Sequence, residues 1–102
     1  MIEFLEGAEA ELLKAVLWYE EGEVGLGDRL LAAVEKTSET LIEWPYSGSL
    51  WTHSEVPVGV RRIPLKTFPY QLVYVTEPRL VIVAVAHMKR QPDYWRERLR
   101  QI

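Results

Sequence analysis

Basic residues and two proton carriers lie together in the last part of the chain, and their types suit the chemistry of phosphate groups. Cations could hold a phosphate there, arginine best because its planar guanidinium binds two oxygens at once. His87 and Tyr94 are candidate proton carriers. His87 is the better suited by its ordinary pKa, because imidazole titrates at about pH 6.5 and tyrosine stays protonated to about pH 10. The candidate phosphate-binding cations are Arg61, Arg62, Lys66 and Arg90.

The same region can instead be interpreted as a binding surface for another macromolecule. In that interpretation its cations and last aromatic residues contact the target and no bond is broken. Adjacent residues on a strand point to opposite faces, so Arg61 and Arg62 cannot both reach one site. His87, Tyr94 and Trp95 also have a plainer interpretation as packing or hydrogen-bonding groups. The candidate target-binding residues are Arg61, Arg62, Lys89, Arg90, Tyr94, Trp95 and Arg96.

The composition indicates one ordinary folded domain. At 102 residues, with 48% apolar and 26% charged residues, the chain suits a single domain over residues 1–102 with one modest core. It has no cysteine, which excludes a disulfide framework and thiolate metal sites. No basic leader and no long apolar run marks secretion or membrane insertion. A cytoplasmic protein without a membrane partner is therefore expected.

Charge is divided strongly along the chain. The net charge is −3, but residues 1–43 hold 3 basic and 11 acidic groups, whereas residues 56–102 hold 9 basic and 3 acidic groups. Such a protein can present a cationic face to an acidic partner, unless the two halves intermix on its surface. The acidic groups of the first helix lack metal-ligand spacing and are most simply a solvated surface. Neither a metal nor a cofactor is expected, since no glycine-rich phosphate cradle is present either.

Two amphipathic helices are predicted before the basic region. Apolar residues at helical spacing extend over residues 8–23, and a second such stretch begins at Asp28 and is stopped by Pro45. The glycine-rich connection between them is short. The two helices must therefore form an antiparallel hairpin, with their apolar stripes packed against each other and against a sheet.

The sheet is predicted to have four strands, the first at residues 2–5. The other three, at residues 58–65, 70–76 and 80–87, are joined by connections too short for crossover helices and form an antiparallel meander. Residues 45–57 carry no apolar periodicity and are predicted to be an exposed loop.

The strand at residues 80–87 is apolar at almost every position, as is typical of a strand covered on both faces. It is predicted to be central in the sheet, or to have one face closed by a partner. A last helix is predicted to begin at Pro92. Proline is tolerated there because the first N–H groups of a helix have no partner within the helix. The fold class is therefore α+β, in the order β-α-α-β-β-β-α, with a helical hairpin packed on a mainly antiparallel four-stranded sheet.

Short motifs spread along nearly the whole chain carry a family resemblance by their order. They are Trp18-Tyr19-Glu20, Gly25-Leu26-Gly27, Arg61-Arg62, Phe68-Pro69-Tyr70, Val73-Tyr74, residues 84–87, Arg90 and residues 92–95. Each motif is weak alone. In this order, and with this order of elements, they resemble the RelE/ParE toxin family, and most of all its plasmid stabilisation members.

The resemblance implies the toxin of a two-protein toxin–antitoxin module, with a cognate antitoxin that wraps it. Antitoxins of this type are small and commonly acidic where they contact the toxin, which would suit the basic half of this chain. Family members differ in target: some cut messenger RNA on the ribosome, whereas others have a similar fold and poison DNA gyrase. The fold therefore leaves the activity open. The oligomeric state, including a homodimer, is open as well.

Two departures from the nuclease pattern favour the binding members of the family. Metal-independent cleavage of RNA by the ribose 2′-oxygen needs cations at the phosphate, a base and an acid. The nucleases commonly have an arginine after the tyrosine that opens the middle strand, where this chain has Gln71. They also tend to have a basic residue where this chain has Pro64. Each lost contact of this kind costs about 2 to 4 kcal/mol of transition-state stabilisation.

Three functions are thus ordered by expectation. The first is a ParE-like toxin that binds a target such as DNA gyrase. The second is a ribosome-dependent, metal-independent endoribonuclease, and the third is an inactive or decoy protein-binding module of the same fold. If the chain is a nuclease, its candidate catalytic residues are Arg61, Arg62, Lys66, His87, Arg90 and Tyr94.

Overall fold

The computed structural model describes residues 2–52 and 59–102. Residues 53–58 lie outside the described part, and with them part of the predicted 45–57 loop and the predicted strand start at Val58. The described elements are β1 (Glu3–Phe4), α1 (Glu6–Gly22), α2 (Leu26–Glu43), β2 (Ser49–Leu50), β3 (Arg61–Pro64), β4 (Tyr70–Val75), β5 (Val81–His87) and a terminal 3-10 helix (Arg96–Gln101).

The two helices form the predicted hairpin, and glycines at the turn allow them to approach closely. Ala8 and Ala15 are buried on the inner face of α1. Gly25 has a φ of 95°, a conformation that residues with a side chain rarely adopt. A Cβ atom at Gly27 would lie 2.7 Å from the carbonyl oxygen of Val16. Glycine is therefore needed where α2 passes α1.

The start of α2 is capped by a side chain of α1. The carboxylate of Glu20 accepts the N–H groups of Gly25 and Gly27, each at 2.9 Å. The first N–H groups of a helix have no partner within the helix, so this carboxylate supplies one from outside. α2 consequently begins at Leu26, two residues earlier than predicted, and Asp28 lies in its first turn.

The sheet has five strands in the described residues, one more than predicted. Its order is β1-β5-β4-β3-β2, with β1 parallel to β5 and the other pairs antiparallel. The additional strand, β2, lies within the predicted loop, where Ser49 pairs with Arg62 and Leu50 with Arg61. Two residues are too few to show a strand periodicity, which is why the sequence pattern missed it. The α+β class and the mainly antiparallel sheet are confirmed.

Both faces of the sheet are covered by this chain. The helices cover one face, where Leu30, Val34 and Leu41 of α2 pack with Leu72 and Ile82. The segment after β5 covers the other, where Trp95 is 1% exposed against Val73, Val83 and Ala86, with Leu99 and Ile102 around it. β5 is buried between β1 and β4, as its apolar sequence predicts. Its second face therefore needs no partner, and the alternative that a partner closes it is wrong.

The covering segment is not the regular helix predicted from Pro92. Residues 92–95 form turns, and the helical part is a 3-10 helix over Arg96–Gln101. Asp93 has a φ of 61°, in the left-handed region that interrupts a right-handed helix. The interruption lets Trp95 enter the apolar face before the helical turns begin. None of the helices in the described part of the chain combines the length and the apolar composition that a membrane span requires.

Candidate functional site

Five of the predicted site residues meet around one small hollow beside the end of β5. The hollow has a volume of about 120 Å³ and lies on the face of the sheet opposite the helices. We call it the Arg62 cleft. The residues discussed below that line it are Arg62, His87, Arg90, Tyr94 and Trp95, together with Trp51 and Gln71.

Strand alternation separates the two adjacent arginines of β3. Arg62 faces the cleft, where its guanidinium lies 6.0 Å from the ring centroid of Trp51 and donates to Oε1 of Gln71 at 3.4 Å. Arg61 points to the other face, donates to the carbonyl oxygen of Gly48 at 2.8 Å and lies over the ring of Tyr46. Arg61 thus fastens the β2 segment to the sheet and does not line the cleft.

Glu11 of α1 joins the cleft residues to the helical hairpin, and its side chain is only 14% exposed. Arg98 donates to it at 2.8 and 3.1 Å, and the Tyr94 hydroxyl donates to it in a short hydrogen bond. Arg90 lies 3.5 Å from the same carboxylate. The solvated surface predicted for the acidic groups of α1 is therefore wrong for Glu11.

Glu11 and Arg98 also complete the edge of β5 beyond the short strand β1. The N–H of Val85 donates to Oε1 of Glu11 at 3.0 Å, and Arg98 donates to the carbonyl oxygen of Val83 at 3.2 Å. A Cβ atom at Gly7 would lie 2.7 Å from the Arg98 guanidinium, so this glycine leaves the space that Arg98 occupies. The side chains of Glu11 and Arg98 thus make the hydrogen bonds to the backbone of β5 that a longer β1 would have made.

Tyr94 is held in its protonated form. Burial first, and then its hydrogen bond to Glu11, raises the pKa of its phenol above the ordinary value of 10.0. Arg90 stacks over the same ring, with its guanidinium carbon 3.8 Å from the centroid. A phenol whose proton is already committed to a carboxylate is poorly suited to give it to a leaving oxygen.

His87 has one ring nitrogen engaged by the backbone. The N–H of Lys89 donates to Nδ1 at 3.1 Å, so the neutral ring carries its proton on Nε2. The ring packs edge-on against Tyr70, with the centroids 5.1 Å apart. His87 lines both the Arg62 cleft and a larger hollow beside α1. Of the two predicted proton carriers, His87 is therefore the one whose side chain can still bind a ligand, through Nε2.

The remaining predicted residues lie away from the cleft lining. Lys66 is exposed in the turn between β3 and β4, Lys89 is exposed in the turn after β5, and Arg96 is exposed at the start of the 3-10 helix. Trp95 lines the cleft but is almost completely buried, so its role is packing against Trp51, 5.0 Å away between centroids. Lys89 and Arg96 stay free to contact a large partner.

The residue that sequence reasoning missed is Glu11, and its spacing carried a signal. It stands three residues after buried Ala8 and four before buried Ala15, which places it on the inner side of α1. A carboxylate at such a position needs cationic or hydrogen-bonding partners. The sequence could therefore have predicted an internal ion pair, although not that Arg98 would complete it.

Comparison with known proteins identifies the family. The family model of the ParE toxin of type II toxin–antitoxin systems, parDE, matches residues 2–92. The chain therefore belongs to the ParE toxin family, which confirms the resemblance carried by its motifs. A solved structure titled as a chromosomal ParDE toxin–antitoxin system from P. aeruginosa is similar in fold, with a TM-score of 0.69 and 19% identity over 84% of this chain and 92% of that chain. No curated protein matches this chain in sequence.

Proposed function

We propose that this ParE-family toxin acts in the cytoplasm by binding a target protein, DNA gyrase being the first candidate, and that a cognate antitoxin neutralises it. The proposal depends most on one observation, the engagement of Glu11 with Tyr94, Arg90 and Arg98. Cleavage of RNA would need free cations and a proton donor. Here the carboxylate of Glu11 pairs with the two arginines and accepts the hydrogen bond of the Tyr94 hydroxyl. The surface is thus better suited to holding a partner than to breaking a phosphodiester.

The electrostatics of the Arg62 cleft support binding over cleavage. Gln71, 7% exposed, occupies the position after Tyr70 where the nucleases commonly have an arginine, and it contributes no charge. Arg90 shares its charge with Glu11. Of the guanidinium groups in the described lining, only Arg62 has no carboxylate beside it within ion-pair distance. A single unpaired cation stabilises the negative charge that develops in the transition state of RNA cleavage far less than several cations would.

The target surface we propose combines the cations at this end of the sheet. Arg62 and Arg90 line the cleft, and Lys89 and Arg96 flank the segment that forms its wall. Such a group attracts an acidic protein surface, accelerates encounter and weakens with added salt.

A supercoiling assay with purified gyrase and plasmid tests the proposal directly. The wild-type protein should block supercoiling or trap linear plasmid, and Arg62→Ala with Arg90→Ala should weaken that effect about tenfold or more. Arg29→Ala, which removes an exposed cation from α2, is the matched control and should inhibit like wild type. Normal supercoiling at saturating protein would remove gyrase as the target.

One observation favours the endoribonuclease as second candidate. His87 brings a protonated Nε2 to the cleft that Arg62 and Arg90 also line. The protein should then cut messenger RNA in a translating extract, and His87→Ala or Arg62→Ala should abolish cutting. That result would overturn the binding proposal. A protein that neither cuts RNA, nor affects gyrase, nor slows growth when expressed alone would be the inactive or decoy module.

A further inference from the structure

The Arg62 cleft is too small for a nucleotide and suits a single small group. Its volume of about 120 Å³ is well below the roughly 300 Å³ at which pockets for whole small molecules begin. Its described lining combines hydrogen-bond donors with apolar and aromatic side chains and contains no carboxylate. The cleft can therefore receive the end of one side chain of a partner.

Arg62 supplies the positive charge of the cleft. Its guanidinium has several N–H donors, of which the described contacts use one, on Oε1 of Gln71. Gln71 is almost fully buried and the ring of Trp51 lies 6.0 Å away, so the guanidinium is held in place. A fixed planar fork with free N–H groups suits a carboxylate, because it can bind both oxygens at once.

His87 supplies a second donor that carries no charge. Its Nδ1 accepts the N–H of Lys89 at 3.1 Å, and the proton of the neutral ring is then on Nε2. The ring is supported edge-on by Tyr70. A neutral donor strengthens the binding of one anion without attracting further negative charge. Arg62 and His87 together thus match a singly charged group.

Glu11 limits the negative charge that can gather at this end of the sheet. Its carboxylate lies 3.5 Å from Arg90 and accepts hydrogen bonds from Arg98 and Tyr94. The Tyr94 ring, 3.8 Å from the guanidinium carbon of Arg90, holds Arg90 beside this carboxylate. A fixed negative charge therefore repels any further anion that approaches Arg90. Nucleic acid, with one charge on every phosphate, meets this repulsion more than a lone carboxylate at Arg62 does.

We propose that the Arg62 cleft binds one aspartate or glutamate side chain of a partner protein, between Arg62 and the Nε2–H of His87. We propose also that Glu11 is the residue that makes this end of the sheet prefer such a group to the phosphates of RNA. The inference rests on the proposed function, because it names the chemical group of the target that the surface recognises.

Titration of the whole protein, labelled with ¹⁵N, tests the carboxylate site. The probe is a blocked peptide with a single glutamate among alanines, and it should shift the side-chain signals of Arg62 and His87. The same peptide with glutamine in place of glutamate should not shift them. Arg62→Gln should weaken binding of the glutamate peptide about tenfold or more, and His87→Phe about threefold to tenfold. Lys66→Gln, at an exposed cation outside the cleft lining, is the control and should bind like wild type.

The second arm measures how Glu11 controls the choice between peptide and RNA. Glu11→Gln should raise the affinity for a single-stranded RNA of six uridines about threefold to tenfold, and should change the affinity for the glutamate peptide by about twofold or less. Glu9→Gln makes the same change of charge at an exposed position of α1 and should leave RNA binding within about twofold of wild type. Circular dichroism at the titration temperature checks that each variant is folded, and a loss of stability would not by itself produce a gain of RNA binding.

Three results would overturn the proposal. They are unchanged peptide binding in Arg62→Gln, equal RNA binding by Glu11→Gln and Glu9→Gln, and larger shifts of the Arg62 and His87 signals in wild type with the RNA than with the peptide at equal concentration. Neither probe contains gyrase. The supercoiling assay can therefore fail while both arms succeed, and the reverse outcome is equally distinguishable.

Discussion

At the scale of single residues, Glu11 decides how the cationic end of this protein is organised. Its carboxylate accepts from Arg98, Tyr94 and the backbone N–H of Val85, and these partners lie 74 to 87 residues away along the chain. One side chain of α1 thus holds together the first helix, the central strand and the terminal segment. Its removal would leave the N–H of Val85 without its acceptor and Arg98 without its carboxylate.

We expect Glu11→Gln to lower the free energy of unfolding by about 1 to 3 kcal/mol, because it removes a charged acceptor from partly buried donors. Urea unfolding followed by circular dichroism measures the change. Glu9→Gln, two residues earlier and exposed on the same helix, is the control and should change stability by less than about 0.5 kcal/mol. Equal effects would show that Glu11 is not the centre of this network.

The raised pKa of Tyr94 predicts that the folded protein loses stability at alkaline pH. Its pKa is raised in the folded protein by burial and by Glu11, so the unfolded chain releases the proton first, at the ordinary value of 10.0. The stability that it contributes is complete below that pH and is lost as the pH rises through the folded pKa. Urea unfolding between about pH 8 and about pH 11 should show a steep decline in wild type and a shallower one in Tyr94→Phe. Tyr46→Phe, with an exposed ring, should decline like wild type.

At the scale of elements, the helical hairpin depends on one close approach, between Gly27 and the carbonyl oxygen of Val16. Glu20 secures the same turn through two backbone N–H groups. The glycine and the carboxylate act together, because the carboxylate can reach the start of α2 only when the helices are this close.

Gly27→Ala should lower the melting temperature and cost about 1 to 3 kcal/mol, because the new Cβ would lie 2.7 Å from backbone and force the helices apart. Gly22→Ala is the contrasting control. A Cβ there meets nothing within 4 Å, and alanine favours a helix, so stability should rise by about 0.5 to 1 kcal/mol. Thermal unfolding of the two variants distinguishes them by sign.

At the scale of the whole molecule, the terminal segment completes the core on the face of the sheet that the helices leave uncovered. Trp95 is its central contact, against β4, β5 and Trp51. This arrangement joins stability to the candidate site, because the segment that covers the sheet also forms a wall of the Arg62 cleft. A partner that displaced the segment would disrupt both.

Trp95→Ala should destabilise the protein by about 3 to 5 kcal/mol, because it leaves a cavity in the second half of the core. Trp44→Ala removes a side chain that is 63% exposed and should change stability by less than about 0.5 kcal/mol. Urea unfolding with a dye that reports exposed apolar surface would measure both effects. A mild effect of Trp95→Ala would contradict the role given to the segment.

Much of the fold was predictable because it follows from local periodicity. The helical hairpin, the meander and the central position of β5 each depend on patterns within about twenty residues. β2 was not predicted because two residues are too few to show a periodicity. The prediction of a regular terminal helix was wrong because Asp93 adopts a left-handed conformation that its residue type does not reveal. The candidate site was predictable in composition and only partly in geometry: Arg62, His87 and Arg90 meet, whereas Arg61 points away.

The family, most of the order of the elements and the basic character of residues 56–102 were readable from the chain alone, since motifs, periodicity and charge are properties of neighbouring residues. Which cations are neutralised, and how the chain covers both faces of the sheet, could be read only from the folded arrangement. Those outcomes depend on strand register and on contacts between the first helix and the last segment. A local pattern does not contain such contacts, because the partners meet only when the chain has folded.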